Sequence, residues 1–573
     1  MSTIVETIIK NRISDDDLEY YYGDIDNLLN YKYDLITDLN TIRDMDKASD
    51  IINTTIENKG LIVIIGDIDQ DGILGSYCIY TSLIDYMCSG KDNVKLIIGT
   101  RKEGRGINRY VLDKLYKLVN LLKREPALII TVDHGSTDEP SYREIKSKFK
   151  NTKLIVTDHH TVEYDRYPKS ADAFINVHRR DNEYDKHISG CVTGFLVMYY
   201  TYYKYCNADM SIFNHILPYA GLSTIGDVMS MKAPINRYLV NEAIRLLNNT
   251  EDLDDNFVSF KDILKLQPTI TYKDFGMSIA PFINTGNRMG CEEYALLSLV
   301  IEDINKKHEL MDYIARLNKV RKDTTREITQ QVMFSPEVTN YNYGNVVSIN
   351  SNAMIAGPVA GNLSGLLKRP IICVGGVDRD VYNGSGRCDV PGVSILEILR
   401  EIQEENEGVI KQANGHKGAC GVTIYGDKLD VFRDLFNKKS EEMLKDIVIE
   451  PVEAEMILEH KDINMYTYGQ VMKVSPYGLN WEEPIFRSNG LKVISMFKIK
   501  TFYKITFQLD DGYIIEGMYF FRHISKIGLN HLNLKDMIKE KSYVDVLYNI
   551  STNYYNSRYS IQLEIVDIRP QGG

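Results

Sequence analysis

The chain has 573 residues, of which 44% are hydrophobic and 25% charged, and its formal net charge is −12. This is the composition of a globular protein of three or four domains, and it excludes collagen-like, coiled-coil and wholly disordered chains. No apolar run approaches the ~18 residues of a membrane span. The eight cysteines form no CxxC pair, which argues against zinc ribbons and disulfide scaffolds. We therefore expect a cytoplasmic protein with reduced thiols and no membrane partner.

The first third of the chain changes from a helical to an alternating pattern. Residues 1–55 are predicted to form helices, with one helix start at Ser14 and Asp15. Short β-branched runs then alternate with helix-length segments; they are LIVII (61–65), VKLIIG (94–99), ALIITV (127–132), KLIVT (153–157) and DAFINV (172–177). Continuous apolar strands separated in this way predict a parallel sheet that is buried on both faces.

Three further regions follow. After a helical block (194–248), residues 305–334 contain neither Gly nor Pro and are highly charged, which predicts a long connecting helix. A second α/β unit is predicted from NVVSIN (345–350), a Gly-rich helix (356–367), PIICVGG (370–376) and GVTIYG (421–426). Beyond residue 450, alternating segments separated by DDG and NYYNS turns predict an all-β barrel or sandwich.

Acidic residues and histidines follow the predicted strands of the first sheet. The first strand leads into GDIDQDG, the third into TVDHG and the fourth into TDHH, and a further GDV follows an apolar helical stretch. An acidic helix-capping loop would explain the first motif alone. The ends of parallel strands, however, meet at one edge of a sheet. Mixed Asp and His ligands suit Mn²⁺ or Mg²⁺, and a carboxylate shared by two such cations creates a phosphoryl-transfer site.

These motifs, in this order, resemble the DHH phosphoesterase superfamily, and most closely the RecJ family of single-strand-specific 5′-to-3′ DNA exonucleases. RKEGRGIN (101–108), NGSGRC (383–388), NGHKGACG (414–421) and YGLNWEEPIF (477–486) extend the resemblance. The fold implied is an α/β parallel-sheet DHH domain, joined by a long helix to a smaller α/β DHHA1 domain and followed by an all-β OB-fold. The implied segments are N-terminal helices (1–55), DHH domain (56–304), connecting helix (305–335), DHHA1 domain (336–449) and OB-fold (450–573).

The resemblance also implies a site with two divalent cations, Mn²⁺ or Mg²⁺. One would be held by Asp69 and Asp133 with a contribution from Asp67. The other would be held by Asp71, His159, Asp227 and the shared Asp133. Asp158 would orient the histidine ligand, and His160 would lie near the scissile phosphate. The implied catalytic residues are Asp69, Asp71, Asp133, His159, His160 and Asp227.

Substrate contacts are expected in two further places. The resemblance implies a pocket for the 5′-phosphate and the DNA at Arg101, Arg288, Ser385, Arg387 and His416. Ser385 and Arg387 are expected in a Gly-rich loop, where backbone can approach a phosphate closely. In the predicted barrel, basic and aromatic residues suggest single-strand contacts, although strand alternation also buries one face; the candidates are Lys498, Lys500, Tyr503, Tyr555 and Arg558.

The sequence thus predicts a monomeric, metal-dependent exonuclease that degrades single-stranded DNA from the 5′ end to 5′-mononucleotides in repair, recombination or replication. A helicase or a single-strand-binding protein is a candidate partner, and the site of action is the cytoplasm, at the nucleoid or, for a viral source, in the host. Two alternatives remain open: a DHH phosphodiesterase for short oligoribonucleotides or cyclic dinucleotides, and a catalytically inactive Cdc45-like replication scaffold. RNA remains open as a substrate.

Overall fold

The computed structural model describes residues 3–30, 32–206, 208–249, 253–349, 355–378, 380–445, 447, 452–499, 502–520, 538 and 542–571. The chain divides into two units. The first unit comprises Ile9–Asn318 and Val474–Glu482, and the second comprises Met1–Ile8, Lys319–Lys473 and Glu483–Gly573. Among the described residues, no helix is both long and apolar enough to cross a bilayer.

In the described residues before the first sheet, the α-helices are α1 (Thr3–Lys10), α2 (Asp15–Tyr22), α3 (Ile25–Asn30) and α4 (Met45–Glu57). The predicted helix start at Ser14 is confirmed, because its hydroxyl accepts a hydrogen bond from the backbone N–H of Asp17 at 3.2 Å. This bond satisfies one of the free N–H groups in the first turn of α2.

The first unit contains the predicted parallel sheet. Its strands are β1 (Ile62–Gly66), β2 (Val94–Ile98), β3 (Leu128–Val132), β4 (Lys153–Asp158) and β5 (Ala173–Asn176), in the order β2-β1-β3-β4-β5. Helices α5 (Gln70–Thr81), α6 (Arg109–Leu122) and α7 (Glu139–Lys148) connect the first four strands. Alternate residues of β1 belong to two different hydrophobic cores, so both faces of the sheet are covered. Gly66 lies opposite Val132, and Val132 opposite Thr157, so β1, β3 and β4 end side by side.

A helical block completes the first unit. Its helices are α8 (Gly190–Cys206), α9 (Leu217–Gly226), α10 (Pro234–Asn249), α11 (Asp255–Leu264), α12 (Tyr272–Asp274), α13 (Ala280–Ile283), α14 (Thr285–Met289) and α15 (Glu292–Val300). Helix α8 packs on α5 and α4, and α9 packs on α10. The predicted connecting helix is present as α16 (Ile304–Val332).

The second unit contains a mixed sheet. After α17 (Pro336–Thr339) come β6 (Asn345–Ser348), α18 (Ala356–Leu367), β7 (Ile371–Asp378), β8 (Val381–Arg387), α19 (Ile395–Glu405), β9 (Ile410–His416), β10 (Ala419–Tyr425) and α20 (Leu429–Leu444). The strand order is β6-β7-β8-β10-β9, and only β6 and β7 are parallel. The prediction of a loop at Ser385 and Arg387 is wrong. Both lie on β8, paired with β7 and β10, because glycines at 384 and 386 let neighbouring side chains pack against the strand.

The predicted β domain is a closed barrel. The short strand β11 (Met456–Ile457) and helix α21 (Met465–Lys473) precede β12 (Phe486–Ile499), β13 (Phe502–Gln508), β14 (Ile514–Phe520), β15 (Tyr543–Tyr555) and β16 (Arg558–Pro570). Strand β12 pairs with both β13 and β15, which closes the sheet. Burial alternates along β13, as expected for a strand with one face in a core.

The segment Val474–Glu482, which we call the strap, belongs to the first unit although it lies between α21 and β12 in sequence. Arg237 on α10 is completely buried beneath it, with the guanidinium 4.4 Å from the centre of the Trp481 ring. The guanidinium donates hydrogen bonds to strap carbonyls, including those of Val474 (2.9 Å) and Ser475 (3.1 Å). The strap also forms a β-bridge between Leu479 and Ser230.

Candidate metal centre

Asp67, Asp69 and Asp71 lie where β1 turns into α5. Asp69 is the N-cap of α5, and its Oδ1 accepts a hydrogen bond from the backbone N–H of Asp71 at 3.2 Å. Gly72 permits the sharp turn, because a Cβ atom there would lie 2.6 Å from the backbone nitrogen and oxygen of Asp67. The turn therefore places three carboxylates within one turn of a helix N-terminus, where negative charge is stabilised.

Asp71 is held by the N-terminus of a second helix. Its buried carboxylate accepts hydrogen bonds from the backbone N–H groups of Gly190 (2.7 Å) and Cys191 (3.0 Å) in the first turn of α8. The hydroxyl of Ser223 on α9 donates a further hydrogen bond to the same carboxylate. These contacts fix the orientation of Asp71 while its Oδ2 atom lies 3.6 Å from Nε2 of His159.

Asp133 occupies the centre of the cluster, directly after β3. Its backbone has a left-handed φ of 62°, and its N–H donates to the carbonyl of Thr157 at 2.9 Å. The side chain is 2% exposed, and Oδ1 has no hydrogen-bond partner among the described residues. Gly190 makes room for it, because a Cβ atom there would lie 2.4 Å from Oδ1. Oδ2 of Asp67 is similarly buried without a hydrogen-bond partner in the described part of the chain.

His159 presents a free ring nitrogen to three carboxylates. Its Nδ1 lies 3.1 Å from the carbonyl oxygen of Ile188, which can only accept, so Nδ1 donates this hydrogen bond and Nε2 faces the carboxylates. Nε2 lies 3.3 Å from Oδ1 of Asp133 and 3.4 Å from Oδ2 of Asp227. A histidine held by a backbone carbonyl in this way has the usual arrangement of a metal ligand.

Asp158 organises the two histidines. Its Oδ1 accepts hydrogen bonds from the backbone N–H of His159 (2.8 Å) and of His160 (3.1 Å), and from Nδ1 of His160 (2.8 Å). Burial raises the pKa of Asp158, but the neighbouring His160 charge and these hydrogen bonds together hold it far below its usual range. Burial alone would lower the pKa of His160, yet the Asp158 carboxylate raises it to about 9. The Asp158–His160 pair is therefore ionic.

Asp227 follows α9 and closes the cluster. The next residue, Val228, has a left-handed φ of 55°, which is strained for a β-branched side chain. Burial and the charge of Asp71 raise the pKa of Asp227 well above its ordinary value. Burial and the same neighbour raise the pKa of Asp133 well above it too, and burial raises the pKa of Asp67.

The residues fit divalent cations. Three sets of candidate ligand atoms each lie within 4.8 Å of one another: Asp67, Asp69 and Asp133; Asp71, His159 and Asp227; Asp133, His159 and His160. Several carboxylates buried close together repel one another, as the raised pKa values of Asp67, Asp133 and Asp227 indicate, and a bound cation would offset that repulsion. A donor set of carboxylates with the imidazole of His159 suits Mg²⁺ or Mn²⁺.

Arg105 also belongs to the site, and sequence reasoning overlooked it in favour of Arg101. Its Nη2 donates a hydrogen bond to Oδ2 of Asp69 at 3.0 Å, and its Nε lies 3.8 Å from Oδ2 of Asp67. The available signal was the pair of glycines that flank it, Gly104 and Gly106, both of which adopt a left-handed φ.

The residues that the sequence predicts to bind the 5′-phosphate lie on several different elements. Arg101 is exposed on a short turn, where its backbone N–H donates to the carboxylate of Glu292 at 2.9 Å. Arg288 is half-buried on α14. In the second unit, Arg387 donates to the hydroxyl of Ser385 at 3.1 Å beside the N-terminus of α18. His416 is exposed at the end of β9.

The barrel residues divide into exposed and buried ones. Tyr555 is 72% exposed and Arg558 is exposed, at the two ends of the turn between β15 and β16. Lys498 is exposed near the end of β12, and Lys500 lies outside the described residues. The prediction that Tyr503 contacts DNA is wrong, because its side chain is 1% exposed and packs inside the barrel. Alternation along β13 directs this ring inwards.

Sequence models of three families match the chain. The DHH family N-terminal domain matches residues 61–225, the DHHA1 domain residues 340–442, and the RecJ OB domain residues 454–567. Together these ranges include all the candidate ligands except Asp227, which lies two residues beyond the first.

Curated relatives align with most of the chain. The single-stranded-DNA-specific exonuclease RecJ of Bacillus subtilis is 24% identical over 542 residues, which are 92% of this chain and 63% of the relative. The protein of the same name from Escherichia coli is 21% identical and covers 77% of each chain. The chain therefore spans less than two thirds of the length of the Bacillus relative.

Solved structures agree in fold. The crystal structure of RecJ in complex with Mn²⁺ from Thermus thermophilus has a TM-score of 0.75 at 18% identity, covering 97% of this chain and 76% of that chain. The crystal structure of an exonuclease RecJ bound to manganese has a TM-score of 0.55 at 20% identity, covering 73% of this chain and 97% of that chain.

Proposed function

We propose that this chain, which belongs to the RecJ-like DHH/DHHA1 phosphoesterases, is a metal-dependent exonuclease that degrades single-stranded DNA from the 5′ end and releases 5′-mononucleotides. The observation that carries this proposal is the convergence of carboxylates that follow β1, β3 and α9 with His159, which follows β4, because the ligand atoms of each candidate set lie within 4.8 Å of one another. An isolated acidic cluster is common. Buried carboxylate oxygens without a hydrogen-bond partner, such as those of Asp67 and Asp133 among the described residues, are uncommon, and they favour a site built for cations.

Two divalent cations, Mn²⁺ or Mg²⁺, are the proposed cofactors. Asp67, Asp69 and Asp133 would hold one, and Asp71, His159, Asp227 and the shared Asp133 would hold the other. When bound, they would make water more acidic and neutralise charge on the phosphoryl oxygens. The bound Mn²⁺ named for two of the RecJ structures supports this choice of metal.

The chain's own residues supply positioning and proton handling. Asp158 holds the protonated His160, whose remaining N–H can donate to a phosphoryl oxygen. Hydrolysis forms a bond between a water oxygen and phosphorus and breaks the bond between phosphorus and the O3′ atom of the terminal nucleotide. O3′ gains a proton and leaves with that nucleotide, so no covalent intermediate with the protein is needed.

Recognition of the 5′-phosphate is proposed separately in each unit: for Arg387, Ser385 and His416 in the second, and for Arg101 and Arg288 in the first. Burial lowers the pKa of Arg387, and its hydrogen bonds go to a hydroxyl and a backbone carbonyl. No carboxylate pairs with it among the described residues. A half-buried cation without an anionic partner at the first turn of a helix suits a bound phosphate.

The exposed barrel residues would contact a longer strand. Tyr555 offers a face for base stacking, and Arg558 and Lys498 offer charge for the backbone. We propose that the enzyme acts as a monomer, and that a helicase or a single-strand-binding protein supplies or holds its substrate.

The proposal is tested by a time course with Mn²⁺ on single-stranded DNA labelled at the 5′ or the 3′ end. The 5′ label is expected to appear at once as mononucleotide, while the 3′-labelled strand shortens gradually and a duplex of the same sequence survives. Degradation of short RNA alone would instead support the oligonucleotide phosphodiesterase. If the protein binds Mn²⁺ but cleaves nothing, a missing partner is the first explanation, whereas a protein that neither cleaves nor binds Mn²⁺ would support the inactive scaffold.

A further inference from the structure

We propose that Arg105 is a further catalytic residue, which contacts a non-bridging oxygen of the scissile phosphodiester and stabilises the charge of its transition state. This inference rests on the proposed function and adds a protein cation to the site. It is carried by the position of the guanidinium at the carboxylate cluster and by the construction of the loop that holds it.

The loop is built to a defined shape. Gly104 and Gly106 have φ values of 96° and 75°, and a Cβ atom on Gly106 would lie 2.8 Å from both carboxylate oxygens of Asp138. That carboxylate accepts a hydrogen bond from the backbone N–H of Ile107 at 2.8 Å. The amide of Asn108 donates to the carbonyls before Arg105, including that of Gly104 at 2.9 Å. Arg105 is therefore fixed by its backbone on both sides.

The guanidinium combines contact with the cluster and access to solvent. Its Nη2 lies 3.0 Å from Oδ2 of Asp69 and its Nε lies 3.8 Å from Oδ2 of Asp67, yet the side chain is 57% exposed. Asp67 itself is 2% exposed, so the positive group lies on the solvent side of the buried carboxylates. A group that only neutralised buried charge would itself be expected to be buried and fully hydrogen-bonded.

A phosphodiester must approach the cluster from solvent. Of the five guanidinium N–H groups, one makes a hydrogen bond to the described residues, so the others can donate to an anion. Cations held by Asp67 and Asp69 would weaken the attraction of these carboxylates for Arg105. The planar guanidinium would then match two phosphoryl oxygens. A donor to a transition-state oxyanion typically changes kcat by ~10²–10³-fold.

The test compares Arg105→Gln, Arg105→Lys and a control, Lys102→Gln, which removes a charge from an exposed position of the same turn. Kinetics on single-stranded DNA with saturating Mn²⁺ are combined with Mn²⁺ titration followed by electron paramagnetic resonance. We expect Arg105→Gln to lower kcat ~10²-fold with little change in KM. Arg105→Lys should recover part of the loss. Mn²⁺ affinity of Arg105→Gln should be equal or higher, since a repelling charge is gone. Lys102→Gln should match the wild type.

Two results would overturn the proposal: an unchanged kcat in Arg105→Gln, or weaker Mn²⁺ binding that explains the loss, so that excess Mn²⁺ restores activity. The second would make Arg105 a residue that only orients the ligands. Thermal unfolding of each variant checks that it is folded. A wild-type protein that cleaves no DNA would contradict the proposed function itself. The wild-type measurements therefore separate a failure of the proposed function from a failure of the role proposed for Arg105.

Discussion

Three features of Asp133 are each energetically unfavourable for an aspartate in a folded protein. Its backbone is left-handed, its carboxylate is buried, and one oxygen has no hydrogen-bond partner among the described residues. Such features persist where the surrounding structure imposes them, and they concentrate at functional sites. In the arrangement proposed here this carboxylate is shared by both cations, which explains why a strained position carries it.

Asp133→Asn should abolish cleavage and stabilise the metal-free protein. Asn fits the left-handed backbone and the same volume. Burial and like charges raise the pKa of Asp133 in the folded protein. The ionised carboxylate therefore destabilises the folded state, and this destabilisation grows as the pH rises above the pKa of the same carboxyl in the unfolded chain. We expect cleavage to fall by more than ~10³-fold. Thermal unfolding in EDTA at neutral pH should show a higher Tm than the wild type, with the difference shrinking in acid. Retained activity would contradict the shared-ligand assignment.

Arg387→Ala should reduce the preference for phosphorylated ends. A charge-assisted hydrogen bond contributes ~1.5–3 kcal/mol, which corresponds to a factor of ~10–150. We expect the ratio of kcat/KM for 5′-phosphorylated over 5′-hydroxyl DNA to fall by about tenfold or more, while kcat changes less. The 5′-hydroxyl substrate is the internal control, and equal losses on both substrates would rule out a role at the terminal phosphate.

At the level of elements, the strap links a distant segment of sequence to the metal centre. Its bridge to Ser230 and the hydrogen bond from the N–H of Met231 to the carbonyl of Leu479 (2.8 Å) hold the loop that begins with Asp227. Arg237 supports the strap through hydrogen bonds to its backbone carbonyls and through contact with the Trp481 ring. The strap therefore stabilises the loop in which Val228 is strained.

Arg237→Met should release the strap. The substitution keeps an apolar stem but leaves buried carbonyls without donors, at ~1–3 kcal/mol for each acceptor that stays dry. Trp481 is the single tryptophan of the chain and is fully buried, so its fluorescence reports on the strap. We expect the urea midpoint of this signal to fall. Arg245→Gln, which removes an exposed ion pair with Glu242 on the same helix, should change it little. Equal effects of both variants would contradict the anchoring role.

On the scale of the whole molecule, a net charge of −12 must be reconciled with a polyanionic substrate. Five of the carboxylates belong to the candidate ligand sets, where cations would offset their charge, and the first turn of α2 carries three more. Binding of long strands would then depend on local basic and aromatic groups, among them those of the barrel, and would weaken with salt.

Tyr555→Ala should weaken binding of a long oligonucleotide. Loss of one stacked base corresponds to ~1–3 kcal/mol. We expect a higher Kd for a single-stranded oligonucleotide of about 30 bases, measured by fluorescence anisotropy in EDTA so that no cleavage occurs. Tyr513→Ala is the matched control, since Tyr513 is also exposed on the barrel, at 50%, but was not assigned to DNA. An unchanged Kd for Tyr555→Ala, or an equal loss in both variants, would remove the barrel turn from the binding surface.

Local pattern determined which strand-end carboxylates reach the metal centre. Apolar runs end at Asp67, Asp133 and Asp158, and parallel strands must end at one edge of their sheet, so their proximity follows without long-range information. The connecting helix and the barrel strands follow in the same way, because their periodicities are properties of neighbouring residues. The local pattern did not predict strand β8, because its glycines resemble those of a loop and only the pairing with β7 and β10 identifies it as a strand.

The tertiary structure distinguished residues that the sequence pattern by itself cannot tell apart. Alternation shows that a barrel strand has two faces, but only packing makes Tyr503 internal and leaves Tyr555 exposed. Arg101 and Arg105 occupy the same short motif, and only the fold of the loop brings Arg105 to Asp69. The strap reaches Arg237 across more than two hundred residues. Each of these depends on contacts between segments far apart in sequence, and such contacts leave no local periodicity.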